Sequence, residues 1–390
     1  MEFDLSWILL GLPLAFILGW LASRLDLRQI RTENRQAPKA YFKGLNYLLN
    51  EQQDKAIDAF IEAVQKDPDT TELHFALGNL FRRRGEYNRA VRVHEHLLSR
   101  ADLSDTDRER AQHGLAQDFL KAGLLDRAED ALRRLEGTAF EAESRLALLA
   151  IYERSRDWVQ AANIARLMQS SNQGDFSARL AHYLCEQAAE KAAHAQLEAS
   201  MDLLNEAVAI APESVRPRLE LAKVLHRLQR SGEAFQTLQL LAQFTPQGLP
   251  LAAPLLLEVA QAAQQLDKAV QLLRTHYQET PSLDLLDALV QSQALPPTPQ
   301  GMTDTVQVRD WYAQHLLREP SLVAATKWLA GECFTHEQHH PAVQKALDHA
   351  TKPLTRYRCA ACGFEARQHF WHCPGCQSWD SYPARRVEEL

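Results

Sequence analysis

Small residues recur at intervals of 34 positions in this 390-residue sequence, and this period constrains the fold more than any other feature. Gly44 and Gly78 form one such pair, and Ala56 and Ala90 form another. The apolar residues around them follow the spacing of two helices joined by a short turn. Because antiparallel helices cross closely only where side chains are small, each period is predicted to form one helical pair. Gly44 is expected to face Ala56, and Gly78 to face Ala90.

The low content of glycine and proline, 15 and 17 residues, agrees with a mostly helical chain. The period resembles that of the tetratricopeptide repeat family, and the resemblance implies an all-α solenoid of paired helices. We expect this region to span residues 37–350, with an interruption near 282–303, where prolines break the helical pattern. The clearest helical pairs are predicted over residues 37–70, 71–104, 109–142, 142–175, 181–214 and 215–248, with a weaker one over 250–283.

The first helix of each pair is the expected partner-binding element, because in the tetratricopeptide repeat family it lines the concave groove. Carrying this over by position gives a locally basic groove, which favours an acidic or carboxylate-terminated peptide as ligand. The alternative is a solvated helix face whose arginines pair with Glu72 or Glu220. The predicted partner-binding residues are Tyr41, Leu45, Phe75, Asn79, Arg82, Arg83, Arg216, Lys223 and Arg227.

The N-terminal segment is apolar from Leu5 to Ala22, 18 residues without an ionisable group, which is long enough for one membrane-spanning helix. We predict a transmembrane anchor over residues 1–23 and a basic linker over residues 24–36. The arginines of this linker place the bulk of the chain on the cytoplasmic side, by the positive-inside rule.

Within the predicted anchor, small residues recur every fourth position on one helix face. This pattern allows a second membrane helix to pack closely, although glycine is also common in membrane helices without such a role. The residues concerned are Gly11, Ala15 and Gly19.

Four cysteines near the C-terminus form two CxxC pairs that are ten residues apart, in a predicted module over residues 356–390. Four thiolates at this spacing can meet at one tetrahedral metal ion. A module of this size cannot build a large apolar core, so the ion is expected to contribute directly to folding. The predicted ligands are Cys359, Cys362, Cys373 and Cys376.

The two cysteine knuckles resemble rubredoxin-type metal modules. Iron and zinc both accept four thiolates, so the metal stays open between them. Two departures disfavour electron transfer: the interval between the pairs is shorter than in rubredoxins, and Gln377 stands where the second knuckle usually has glycine. His372 is expected to be a solvent-facing neighbour of the site, since four thiolates already complete a structural centre; the alternative is a substitute ligand.

An HExxH pattern over His336, Glu337 and His340 is the strongest enzyme-like motif in the sequence. Pro341 follows directly, and a residue before proline is pushed out of the helical conformation. His340 is therefore expected at a helix boundary, where it cannot present its ring beside that of His336. We predict no enzymatic activity, and the net charge of −7 argues against a nucleic-acid partner.

The order of anchor, helical repeats and short-spaced cysteine module resembles the lipopolysaccharide assembly protein B family over the whole chain. The stretch YRCxxCGF…WHCPxC carries most of the identification. The resemblance implies a non-enzymatic, single-pass inner-membrane protein that regulates lipopolysaccharide synthesis by promoting degradation of the LpxC deacetylase by the membrane protease FtsH. Other lipopolysaccharide assembly and regulatory membrane proteins are further expected partners. The alternative is a scaffold that assembles such proteins without a protease role, and the oligomeric state stays open between monomer and dimer.

Overall fold

The computed structural model describes residues 42–47, 49–50, 52–66, 70–293, 305–331 and 337–390, together with Phe16 and Trp20. The predicted linker over residues 24–36 and most of the predicted anchor over residues 1–23 lie outside the described residues. So do Gly11, Ala15, Gly19 and Tyr41, and residues 294–303 of the expected interruption. The earlier part of that interruption, Leu283–Gln293, forms a helix, so the helical pattern continues past residue 282. The chain divides into two compact units, Met1–Arg156 and Asp157–Leu390.

No single helix among the described residues 42–47, 49–50, 52–66, 70–293, 305–331 and 337–390 combines the length and apolar composition of a membrane span. One pair bent by 118°, Ser231–Phe244 followed by Pro246–Ala262, meets both conditions together.

Unit 1 is a series of antiparallel helices in which each helix packs on its neighbours in sequence. Gly85, in the left-handed conformation at φ 83°, ends the second of these helices and starts the turn to the third, as glycine does most easily. The helices are α1 Gln53–Lys66, α2 Thr71–Arg84, α3 Tyr87–Ser99, α4 Asp105–Ala122, α5 Leu125–Arg133 and α6 Glu141–Ser155.

Unit 2 continues with the same kind of helix, each again packed on its sequence neighbours. These helices are α7 Trp158–Ser170, α8 Ser177–Ala193, α9 Leu197–Ile210, α10 Val215–Arg227, α11 Ser231–Phe244, α12 Leu249–Ala262, α13 Leu266–Glu279, α14 Leu283–Gln293, α15 Thr305–Leu316, α16 Leu322–Ala330 and α17 His340–Thr351. A two-stranded antiparallel sheet follows, β1 Tyr357–Arg358 with β2 Glu365–Ala366. The expected all-α repeat class is confirmed in these helices, and the two short strands belong to the cysteine module.

One close helix crossing in unit 1 is filled by a histidine, which the sequence did not predict. The nearest atoms to a Cβ placed on Gly78 belong to His94, and those near Gly44 belong to Phe60. The space at each glycine is filled by a ring one turn further along the second helix than Ala90 or Ala56, and the pairing of each glycine with its alanine stays a prediction.

The ring of His94 lies between two glycines, since Gly114 on α4 approaches it from the other side. The ring is buried, and its Nδ1 lies 2.5 Å from Oδ2 of the buried Asp118. The other oxygen of Asp118 accepts a hydrogen bond of 2.7 Å from Arg82. A polar ring in an apolar seam is tolerated here because its nitrogen has a buried partner.

The HExxH segment has the predicted break. Glu337–His339 form a 3₁₀ helix, and α17 begins at His340 with Pro341 in its first turn. His340 is thus at a helix boundary, as expected, while His336 lies outside the described residues.

We predict that Gly78→Ala lowers the free energy of unfolding of the chain by about 1–3 kcal/mol, because the new Cβ would overlap the His94 ring. That Cβ would lie 2.6 Å from Cε1 of the ring. Urea denaturation measures the change. Gly232→Ala is the matched control, since nothing lies within 4 Å of its Cβ position; equal effects of the two substitutions would contradict the close packing at His94.

Candidate metal centre

The four cysteine sulfurs of the module converge on one point, and all lie within 4.8 Å of one another. The Sγ atoms of Cys359 and Cys376 are 3.8 Å apart, and those of Cys362 and Cys373 are 3.7 Å apart. A tetrahedral ion with metal–sulfur bonds of about 2.3 Å requires sulfur–sulfur distances of roughly 3.8 Å. The four thiolates therefore fit one tetrahedral metal ion, and thiolates alone do not decide between iron and zinc.

The two knuckles are built alike, which explains how a short sequence brings the sulfurs together. The N–H of Gly363 donates to the carbonyl of Cys359 over 2.9 Å, and the N–H of Gln377 donates to that of Cys373 over 2.8 Å. Both donors follow the second cysteine of their pair and both are left-handed, with φ 78° and 60°. Glycine adopts this conformation without strain, whereas glutamine does not. The second knuckle thus forms the same turn with the less favourable residue.

Hydrogen bonds around the sulfurs stabilise negative charge on two of them. Burial disfavours the Cys359 thiolate, but the Ser381 hydroxyl and neighbouring backbone N–H groups outweigh it and lower the pKa of this thiol to about 6. The hydroxyl and N–H of Ser378 likewise lower the pKa of Cys376. The N–H of Phe364 favours the Cys362 thiolate, yet desolvation and the other sulfurs raise its pKa to about 12. Four thiolates so close together need a cation between them.

A small apolar cluster supports the centre. Tyr357 and Tyr382 are buried together with Cys359 and Cys373, and the ring of Phe370 and the α12 residue Leu251 pack against them. Phe364 is 44% exposed and lies at the outer edge of this cluster. His372 stacks on Trp379, with ring centroids 4.3 Å apart. It is a neighbour of the centre, as expected, but the expected solvent-facing position was wrong, because the ring is half-buried against Trp379.

The second knuckle holds the module on the helices of unit 2. Trp379 stacks on His182 of α8, with centroids 4.7 Å apart, and meets Trp158 and Tyr183 edge-on at 6.0 Å. Beside it, Nε2 of His182 lies 2.7 Å from a carboxylate oxygen of Asp380. One feature of the sequence could have indicated this contact. His182 lies one period of 34 residues before Arg216, so it occupies the same position in its helical pair as a predicted partner-binding residue.

The C-terminal residues form a second attachment. Arg386 donates to both carboxylate oxygens of Asp284, and the Tyr357 hydroxyl donates to the same carboxylate over 3.0 Å. The Glu389 carboxylate accepts the N–H of Leu283 at the start of α14 over 2.6 Å. Glu388 accepts N–H groups at the start of α16. Anionic side chains at helix N-termini satisfy donors that the helix leaves unpaired.

Several predicted partner-binding residues in unit 1 are engaged within the chain. Phe75 is buried, beneath the Arg110 guanidinium. Arg82 binds Asp118 and the side chain of Asn79, whereas Arg83 is exposed. Arg110 pairs with Glu72, the acidic residue named in the alternative of a solvated face.

The predicted residues of α10 divide in the same way. Arg216 is buried and pairs with Glu186 over 2.7 Å. Lys223 is exposed and pairs with Glu220, and Arg227 is exposed while donating to the carbonyl of Ala192. Partner binding by these residues, and by the half-buried Leu45 in unit 1, stays a prediction.

Comparison with known proteins agrees with the module and with the full chain. Residues 357–382 match the family model described as a rubredoxin metal binding domain. Lipopolysaccharide assembly protein B of Escherichia coli strain K12 is 28% identical over 405 aligned positions, covering 99% of this chain and 100% of that protein. The protein of the same name from Haemophilus influenzae is 26% identical and covers 96% of each. The resemblance to this family is thereby confirmed along the whole sequence.

Solved structures give weaker likenesses. A tetratricopeptide repeat protein from Parabacteroides merdae aligns at 12% identity and a TM-score of 0.33, covering 66% of this chain and 99% of its own. A structure of Naa15/Naa10 bound to HypK-THB aligns at 13% identity and a TM-score of 0.45, covering 82% of this chain and 48% of that chain.

We predict that Cys373→Ser abolishes tight ion binding, because its buried sulfur is one of four required donors. Metal analysis of the purified chain measures the loss, and full occupancy in this variant would contradict the site. Cys185→Ser is the control: Cys185 is also buried, but it lies in α8 and its pKa is raised to about 12 by burial, so its replacement should leave ion content unchanged.

Gln377→Gly should strengthen the module by about 1 kcal/mol, because glycine relieves the left-handed strain of the second knuckle. Gly363→Ala should weaken it by a similar amount; nothing lies within 4 Å of its Cβ position, so conformational strain is the only cost. Competition with a chelator measures both changes as ion affinity. Changes of the same sign in the two variants would contradict the equivalence of the knuckles.

Proposed function

We propose that this protein is a non-enzymatic, membrane-anchored adaptor that regulates lipopolysaccharide synthesis by promoting proteolysis of the LpxC deacetylase by FtsH. The observation that carries the proposal is the similarity to lipopolysaccharide assembly protein B along the full chain, including the cysteine module. The name of those relatives supports a role in lipopolysaccharide assembly. The involvement of FtsH as the protease and LpxC as its substrate is the more specific part of the proposal.

The physical basis of such an adaptor is effective concentration. A chain confined to the membrane plane and bound to a substrate raises the encounter rate of that substrate with a protease in the same plane. Stacked helical pairs suit this task because they offer long surfaces with exposed side chains from many repeats. The exposed cations on first helices are the best placed of the predicted partner-binding residues to meet an acidic segment; they are Arg83, Lys223 and Arg227.

The membrane part of the proposal rests on the sequence. The apolar stretch over residues 5–22 and the arginines that follow it support a single-pass anchor with the helical units on the cytoplasmic side of the inner membrane. The ion has a structural task in this proposal: it holds the two knuckles together, and the docked module contacts α8, α12, α14 and α16 of unit 2.

We predict that removing residues 1–23 leaves helical units that fold but no longer support deacetylase turnover, because the chain loses its confinement to the membrane. Pulse-chase measurement of deacetylase half-life in cells tests this, with the full-length chain and a depleted strain for comparison. A normal half-life with the shortened chain would contradict the need for an anchor. A half-life unchanged by depletion would favour the scaffold without a protease role.

A further inference from the structure

Four charged or polar side chains form a continuous row where the module meets α8 and α10. Glu186 accepts a hydrogen bond of 2.7 Å from Arg216, and another nitrogen of the same guanidinium lies 3.4 Å from Nδ1 of His182. Nε2 of His182 faces Asp380 at 2.7 Å. Three of these residues belong to the helices, and only Asp380 is contributed by the module.

The hydrogen-bond pattern determines how the row recognises a carboxylate. Arginine can only donate, so Nδ1 of His182 is the acceptor in their contact. The ring proton then lies on Nε2 and points at the Asp380 carboxylate. The helices thus present a fixed donor, backed by the buried positive charge of Arg216, at the position where a carboxylate lies.

An aromatic side chain completes the recognised group. Trp379, the residue before Asp380, stacks on His182, and the Arg216 guanidinium lies 6.0 Å from the centre of its ring. Trp158 and Tyr183 border the same ring edge-on. An aromatic residue followed by a carboxylate is therefore the chemical pattern that this surface binds.

The module does not saturate this surface. Nε of Arg216 is buried and has no hydrogen-bond partner in the described part of the chain. The Asp380 side chain is 47% exposed, although the His182 side chain that it binds is fully covered. A cavity of about 840 Å³, lined among others by Asp380, Trp371 and Ser177, opens beside this carboxylate. The cavity thus leaves one side of the Asp380 carboxylate open, while neither His182 nor Arg216 lines it. The unused Nε of Arg216 is a donor that Asp380 does not engage, and it becomes available to a carboxylate when the module withdraws.

We propose that His182 and Arg216 form a carboxylate-recognition site that Trp379 and Asp380 occupy as an internal ligand. An aromatic–acidic segment of a partner protein binds this site when the module withdraws, and ion loss is the event that loosens the module. An internal ligand competes at an effective concentration of the order of mM, so the docked module keeps weak external segments out. The inference deepens the proposed function, because it names the chemistry of a partner segment and a condition for its capture.

The experiment uses the full chain with the double substitution Trp379→Ala and Asp380→Ala, which removes the internal ligand and keeps all four cysteines. The probes are the dipeptides acetyl-Trp-Asp-amide and acetyl-Trp-Asn-amide, followed by NMR titration of histidine ring signals. We expect the acidic dipeptide to bind about tenfold more tightly than its amide counterpart. We also expect it to bind the double variant at least about tenfold more tightly than the unaltered chain.

Two controls keep the result specific. Adding Arg216→Gln to the double variant should remove the preference for the acidic dipeptide, and metal analysis should show an ion content equal to that of the unaltered chain. If the double variant loses its ion, the single substitution Asp380→Ala gives the same test with acetate against acetamide.

Equal affinity for the acidic and amide probes, equal binding by the variant and the unaltered chain, or no binding at all would overturn the proposal. The adaptor function is tested separately, by deacetylase half-life in cells. A negative result in the binding titration is therefore distinguishable from failure of the adaptor function.

Discussion

Each helical pair in this protein depends on burying its apolar face against the next pair, because two short helices cannot enclose a core of their own. In unit 1 the space at one such crossing is set by two glycines and filled by the ring of His94. Asp118 supplies the ring with a buried partner and holds Arg82 at the same time. Packing between neighbouring pairs is thus combined with a polar contact that only one arrangement of the three helices satisfies.

Unit 2 adds a different kind of contact, in which the cysteine module lies against helices that are far from it in sequence. His182 and Asp380 are 198 positions apart. The module buries few of its apolar side chains, and two of its buried residues are the cysteines Cys359 and Cys373. The fold of the module therefore depends on the thiolate centre, and its position on the helices depends on the contacts of Trp379, Asp380 and Arg386.

The local parts of this structure could be predicted from the sequence, and the distant contacts could not. The period of 34 residues predicts where helices occur, and the two CxxC pairs predict which sulfurs meet. A period says which residues share a face, but not which ring fills the gap at Gly78 or which segment covers Arg216. The departure at Gln377 was visible as a residue type, while its left-handed conformation follows from the hydrogen bond that the turn must make.

The carboxylates of Glu388 and Glu389 have a consequence for the order in which the protein matures. They accept the first N–H groups of α14 and α16, two helices that leave the ribosome well before them. During synthesis the first N–H groups of these helices remain hydrated until the two glutamates emerge and fold back. Synthesis of Glu388 and Glu389, not of each repeat, is thus the step after which α14 and α16 can acquire these acceptors.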